Sequence, residues 1–260
     1  MTQRGFKQDD SIARRQPKIT LRWRIGEWAK VMGRLFLANG NTVRGAAQMP
    51  IVERLLPQED LGRCLDVGCG GGMYMLETLA SRSSWVGGID FDRKHVELTQ
   101  WRLCAKRLSK AFVAQASAEM LPFADQSFDT LLCIEVIEHL AARQDALREM
   151  WRVLRPHGKL LVSVPLLPPP FYHLDHVVQG FSREEILHEL ELAGFSIIKE
   201  DVALLRWSRW VLRMCHRTGL PLPLLFICHL ENRVFSKRSN RIEQKPLDIL
   251  LLVQKSDLVQ

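Results

Sequence analysis

A chain of 260 residues with 47% apolar content can bury the core of one α/β domain, and is too apolar to be mainly disordered. Six cysteines without a Cys-x-x-Cys pair argue against a disulfide framework or a zinc ribbon, and for a reducing compartment. The net charge of +7 lies mostly in residues 1–44 and 206–245, where it could meet nucleic acid or anionic lipid, or simply be solvated.

In chain order, the first ten residues lack the apolar run of a signal peptide, and no uncharged apolar stretch reaches 18 residues. A cytoplasmic protein is expected, with peripheral membrane contact as an option. Within residues 18–48, Trp28, Val31, Met32, Leu35 and Phe36 recur at helical spacing, with Arg24, Lys30 and Arg34 between them. Strands are expected near 63–67, 85–90, 111–114, 128–134, 159–164, 195–200 and 247–254. Helices are expected near 72–81, 93–108, 142–154 and 182–193. This alternation predicts a doubly wound, mostly parallel sheet with helices on both faces. Ser182 and Glu185 form a capping box at the start of the last of these helices, and Gly194 ends it.

The first strand, Cys64-Leu65-Asp66-Val67, runs directly into Gly68, Gly70 and Gly72. Glycines there let the backbone turn tightly and a ligand approach closely, and the following helix aims free N–H groups at it. The second strand ends on Asp90, at a strand tip where a carboxylate accepts from ribose hydroxyls. Spacing of Gly-x-Gly-x-Gly, not Gly-x-Gly-x-x-Gly, disfavours a nicotinamide dinucleotide.

After the third strand comes Ala118-Glu119-Met120-Leu121-Pro122-Phe123-Ala124-Asp125-Gln126-Ser127-Phe128-Asp129, and later Arg152-Val153-Leu154-Arg155-Pro156-His157-Gly158. With the glycine loop and the Gly88-Ile89-Asp90 tip, these runs resemble the class I S-adenosylmethionine-dependent methyltransferases. The branch is type 11, with likeness to ubiquinone-biosynthesis O-methyltransferases. The resemblance covers about residues 50–200 and the last ten. It implies S-adenosylmethionine as cofactor, held by Asp66, Gly68, Gly70, Gly72, Asp90, Phe91, Ala118, Glu119 and Glu135. Ser117 stands where many relatives carry Asp, which weakens the adenine contact. The implied sheet has seven strands, the last one antiparallel beside the sixth.

Glu135-Val136-Ile137-Glu138-His139 follows the fourth strand. Two carboxylates and an imidazole so close can bind a divalent metal or supply a general base. The pattern resembles the Glu-x-x-Glu-His signature of ubiquinone-biosynthesis O-methyltransferases and small-RNA 2′-O-methyltransferases, where it is associated with a metal. No metal ligand is assigned here. His139 and Glu138 are taken as catalytic candidates, with His173 and His176 on the substrate side after the fifth strand.

The expected organisation is a basic helical extension over 1–50, a cofactor-binding core over 51–201 plus 246–260, and an insertion over 202–245. Within the insertion, Arg206, Arg209, Arg213 and Arg217 share one helical face. Leu204, Leu205, Trp207, Val211, Leu212, Met214 and Cys215 lie opposite, with Trp210 at the boundary. A proline-broken apolar run, 220–227, follows. Such a helix suits a membrane interface, a lid over an apolar pocket, or simple packing. The function expected is methyl transfer to a small hydrophobic acceptor, most readily at oxygen. The alternatives are an RNA 2′-O-methyltransferase and a noncatalytic, membrane-docked cofactor scaffold. No nucleic-acid partner is expected, because no pattern of stacking aromatics among basic residues is present.

Overall fold

The computed structural model describes residues 40–169, 172–218, 230–231, 234 and 245–256. The helical pattern around Trp28–Phe36 and the run 220–227 lie outside these.

Helix α1 (Gly40–Leu55) leads into strand β1 (Arg63–Val67), a π-helical turn (Met75–Leu79), β2 (Trp85–Asp90) and α2 (Arg93–Lys106). Strands β3 (Ala111–Gln115) and β4 (Phe128–Ile134) follow, then a 3-10 turn (Ile137–His139), α3 (Arg143–Val153) and β5 (Leu154–Pro165). The chain continues through α4 (Arg183–Leu192), β6 (Phe195–Ala203), α5 (Arg206–Thr218) and β7 (Asp248–Lys255). Seven strands form one sheet in the order β3-β2-β1-β4-β5-β7-β6. All neighbours are parallel except at β7, which runs antiparallel to both β5 and β6. Sheet and topology are those expected from the sequence.

Each face of the sheet carries its own core. On one, Leu65, Val67, Leu131, Cys133, Leu160 and Val162 pack beneath α3 and α4 with Phe128 and Ile186. On the other, Cys64, Leu132, Leu161 and Leu250 meet Ile51 and Val52 of α1 and Met75 and Leu79 of the π turn. Alternation of inward and outward side chains along each strand feeds both layers, which is why these strands read as near-continuous apolar runs.

Besides small shifts at element ends, and β6 running on to Ala203 across the boundary drawn at 201, three differences stand out. The helix expected at 72–81 narrows to a short helical segment whose Ala80 N–H reaches back to the Met75 carbonyl. That is a one-residue-wider π turn, which hydrophobic period cannot distinguish from an α-helix. Strand β5 begins at Leu154, five residues early, because Leu154 already pairs with Phe128 before the register shifts. Helix α1 runs through residue 50, so the boundary drawn there falls inside a helix. Pro50 is tolerated even though it lacks an N–H for the helix ladder. The capping box holds: Ser182 Oγ accepts from Glu185 N–H at 3.1 Å, and Glu185 accepts from Ser182 N–H at 2.8 Å.

Candidate active site

The sheet order reverses between β1 and β4, and the crevice outside their carboxyl ends is where open α/β sheets take ligands. The glycine loop leaves β1 there, Asp90 ends β2 there, and Glu135 follows β4 there.

The loop geometry explains its glycines. Gly68 has φ +71° and sits so close to the segment after β4 that a Cβ would lie 2.3 Å from Val136 Cγ2. Gly70 has φ +52°, and its Cβ would meet no atom within 4 Å. The loop therefore presents bare backbone to an open cleft. Asp90 steadies it by accepting from Gly70 N–H at 2.8 Å through Oδ2 and from Asp92 N–H at 2.8 Å through Oδ1. His95, on the first turn of α2, brings Nδ1 to 3.2 Å from Asp90 Oδ1. Sequence reading passed over His95; its place one turn beyond a strand-tip carboxylate was the available signal.

Asp66 is only 2% exposed, and its Oδ2 has no hydrogen-bond partner among the described residues. Burial pushes its carboxyl up to about 7, against one backbone N–H donated by Met75 and with the negative charge of Asp90 adding to the rise. A carboxylate kept dry beneath a glycine loop, with an oxygen unused, suits a ligand that brings a positive charge or an N–H donor. Phe91 projects into solvent beside Asp90, and Ala118 is buried. Glu119 is turned elsewhere: its Oε1 accepts from Ala142 N–H at 3.1 Å. Ser117 Oγ accepts from Glu119 N–H.

The second half of the site lies after β4. Glu135 has φ +56°, and its Oε1 accepts from Ser163 Oγ at 2.7 Å and from Gln48 Nε2 at 3.2 Å. Gln48, fully buried on α1, also donates to Asp248 at 2.8 Å and accepts from Tyr74 Oη at 2.9 Å. It thus latches α1 across the ends of β5 and β7. No periodicity in the sequence marks a glutamine for that position.

Glu138 and His139 are brought together with His173, Asp175 and His176. The backbone carbonyl of Glu138 accepts from Val177 and Val178 N–H groups, docking the loop after β5 onto the 3-10 turn. Gln179 bridges both backbone groups of His173 at 2.8 Å. The His139 and His176 rings meet edge-on at 4.6 Å, while His173 and His176 stack at 4.3 Å. Glu138, His139 and His176 offer donor atoms within 4.8 Å of one another, as do His173, Asp175 and His176. Either trio could hold a metal ion. His139 Nδ1 lies 2.9 Å from the Asp175 carbonyl oxygen. A carbonyl can only accept, so Nδ1 carries the hydrogen, and in the neutral ring Nε2 is the nitrogen with the lone pair. Asp175 was not singled out from the sequence; its carbonyl accepts from His139, and its carboxylate lies 3.9 Å from the same ring nitrogen.

Residues 65–162 match the protein family described as a methyltransferase domain. They form a class I S-adenosylmethionine-dependent methyltransferase domain. Its cofactor fits the cleft as built, since S-adenosylmethionine carries an ammonium and a sulfonium and the unused Asp66 oxygen sits below bare loop backbone. The chain is 38% identical over 104 residues to a ubiquinone/menaquinone biosynthesis C-methyltransferase of Geotalea daltonii, covering 39% of this chain and 44% of that one. It is 31% identical over 113 residues to a ubiquinone biosynthesis O-methyltransferase of Pseudomonas fluorescens, covering 42% and 47%. Each match spans less than half of the relative's own length. A crystal structure of an S-adenosylmethionine-dependent methyltransferase from Mesorhizobium loti shares the fold, with TM-score 0.57 and 16% identity over 82% of this chain and 99% of that one.

Proposed function

We propose that this methyltransferase-domain protein transfers a methyl group to a hydroxyl of a small hydrophobic acceptor, with His139 as the general base. The reading is carried by the Nδ1–H bond of His139 to the Asp175 carbonyl, which leaves Nε2 as a proton acceptor. Val136, three residues before His139, packs on the glycine loop, so base and cofactor loop share one segment of chain. S-adenosylmethionine supplies a methyl already activated on a sulfonium sulfur. Displacement at that carbon needs in-line placement and exclusion of water more than it needs a strong nucleophile.

The residues then have defined tasks. Asp66, Gly68, Gly70 and Gly72 cradle the cofactor, Asp90 takes its ribose, and Phe91 and Ala118 flank its adenine. Glu119 and Glu135 are assigned to the cofactor through the resemblance, although both carboxylates already accept from the protein. As the methyl's bond to sulfur broke, leaving the neutral thioether S-adenosylhomocysteine, and its bond to the acceptor oxygen formed, His139 Nε2 would take the hydroxyl proton. The ring is partly open to solvent, so the proton has a route to water. Glu138 is buried beside His139 and His176 and closes that corner of the site behind the two rings. His173 and His176 orient the acceptor, and Tyr172, Leu174 and Val177 present an apolar rim to it. One of the two relatives is named as a C- and the other as an O-methyltransferase, and the oxygen acceptor here rests on the base.

The decisive experiment supplies methyl-labelled S-adenosylmethionine and purified protein to a cell extract, followed by separation of organic, nucleic-acid and protein fractions. Label is expected in the organic phase. Label confined to RNA or protein would overturn this reading.

A further inference from the structure

Helix α5 shows a face that water does not explain. Leu205, Ser208 and Val211 point inward and are buried, while Arg206, Trp207, Trp210 and Arg213 are exposed, Trp210 at 62%. Trp207, expected on the buried side, is instead outside, because Leu205, Ser208 and Val211 already fill the inward stripe. The buried carboxylate of Glu231 accepts from Ser208 Oγ and Trp207 N–H, which anchors the helix start in this orientation. Exposed indoles set between guanidiniums match the composition of a headgroup layer.

Among the described residues, the charges on this face have no carboxylate counterion. No acidic residue lies in the first turn of α5, and among the described residues no carboxylate pairs with Arg206, Arg209 or Arg213. Arg209 is held below the ordinary guanidinium value, first by partial burial and then by the like charge of Arg213. It donates to the Pro168 carbonyl at 3.0 Å and so joins the helix to the loop after β5. That loop adds Leu167, Tyr172, Leu174 and Val177 to the exposed surface, Leu174 at 94%. Beside these apolar residues stand His173 and His176. The basic, indole-bearing helix thus meets the start of this loop at Pro168.

We propose that the outward face of α5 and the adjoining tip of the loop after β5 dock on an anionic lipid bilayer. Arg206 and Arg213 meet lipid phosphates, Trp207 and Trp210 enter the interfacial layer, and Leu174 dips toward the acyl boundary. No helix among the described residues is long and apolar enough to cross a membrane, so this contact is interfacial. An acceptor dissolved in the bilayer would then reach the imidazole cluster without crossing water.

Flotation of the full chain with phosphatidylcholine vesicles, with and without phosphatidylglycerol, tests this without any turnover. Binding is expected only to the anionic vesicles, and is expected to fall as salt rises. The pair Arg206→Gln/Arg213→Gln leaves the Arg209–Pro168 bond in place and should weaken binding roughly thirtyfold. Trp207→Ser/Trp210→Ser should weaken it while preserving the salt dependence. Calorimetric S-adenosylhomocysteine affinity, unchanged in both variants, would show that the fold survives. No binding by the unaltered chain would overturn the proposal. So would equal binding to neutral vesicles, undiminished binding by the arginine pair, or capture by RNA in place of vesicles.

Discussion

At the scale of single residues, the site is set by carboxylates kept dry and one imidazole held in a fixed tautomer. Asp66 titrates near 7 in the fold but near its ordinary value of 3.8 when unfolded. The folded state therefore holds a proton that the unfolded state has lost between those pH values, and stability falls as pH rises through that window. Asp66→Asn should flatten this slope, so the melting temperature of the variant should gain on the parent between about pH 4 and pH 7. A parallel decline in both proteins would assign the slope to other groups. Asp90→Ala, which removes the ribose acceptor, should weaken S-adenosylhomocysteine binding by about 1–3 kcal/mol in calorimetry. His139→Gln should lower kcat by about 10²–10⁴ with cofactor affinity unchanged. A loss confined to KM would make His139 an orienting group instead.

At the scale of elements, what could be read from the chain was whatever is local. The glycine loop, the Asp90 tip and the Ser182–Glu185 cap each declare themselves within a few residues, and each stands where expected. Gln48, His95 and Asp175 escaped notice because their partners lie on other elements and no spacing encodes them. Trp207 was misplaced for a related reason: a helical wheel ranks residues by polarity, whereas packing chose small Ser208 for the buried stripe. The loop offers a sharp contrast between two glycines. Gly68→Ala would drive a methyl into Val136 and should abolish cooperative unfolding. Gly70→Ala meets open space and should cost only about 1 kcal/mol of stability from its positive φ, while cofactor binding is lost. Thermal melts with cofactor titrations separate the two; equal destabilisation would show that the loop is closed at Gly70.

At the scale of the whole molecule, alternating strands and helices gave enough pattern to assign the sheet, and the family resemblance supplied the antiparallel β7. What no pattern supplied was how distant segments converge at the carboxyl ends of the strands: α1, the turn after β4 and the loop after β5. The position of β7 also bears on how the molecule is assembled. It slots between β5 and β6, pairing Ser163 with Leu250 on one side and Val202 with Ile249 on the other. Until that strand pairs, β5 and β6 have no partner in each other, and each keeps an open row of N–H and C=O groups. Every earlier strand can add singly to a growing edge, but this one either enters between two waiting edges or pairs with β6 first and carries it to β5. Closure of so long a loop is slow, and the waiting edges are where one nascent chain can pair with another.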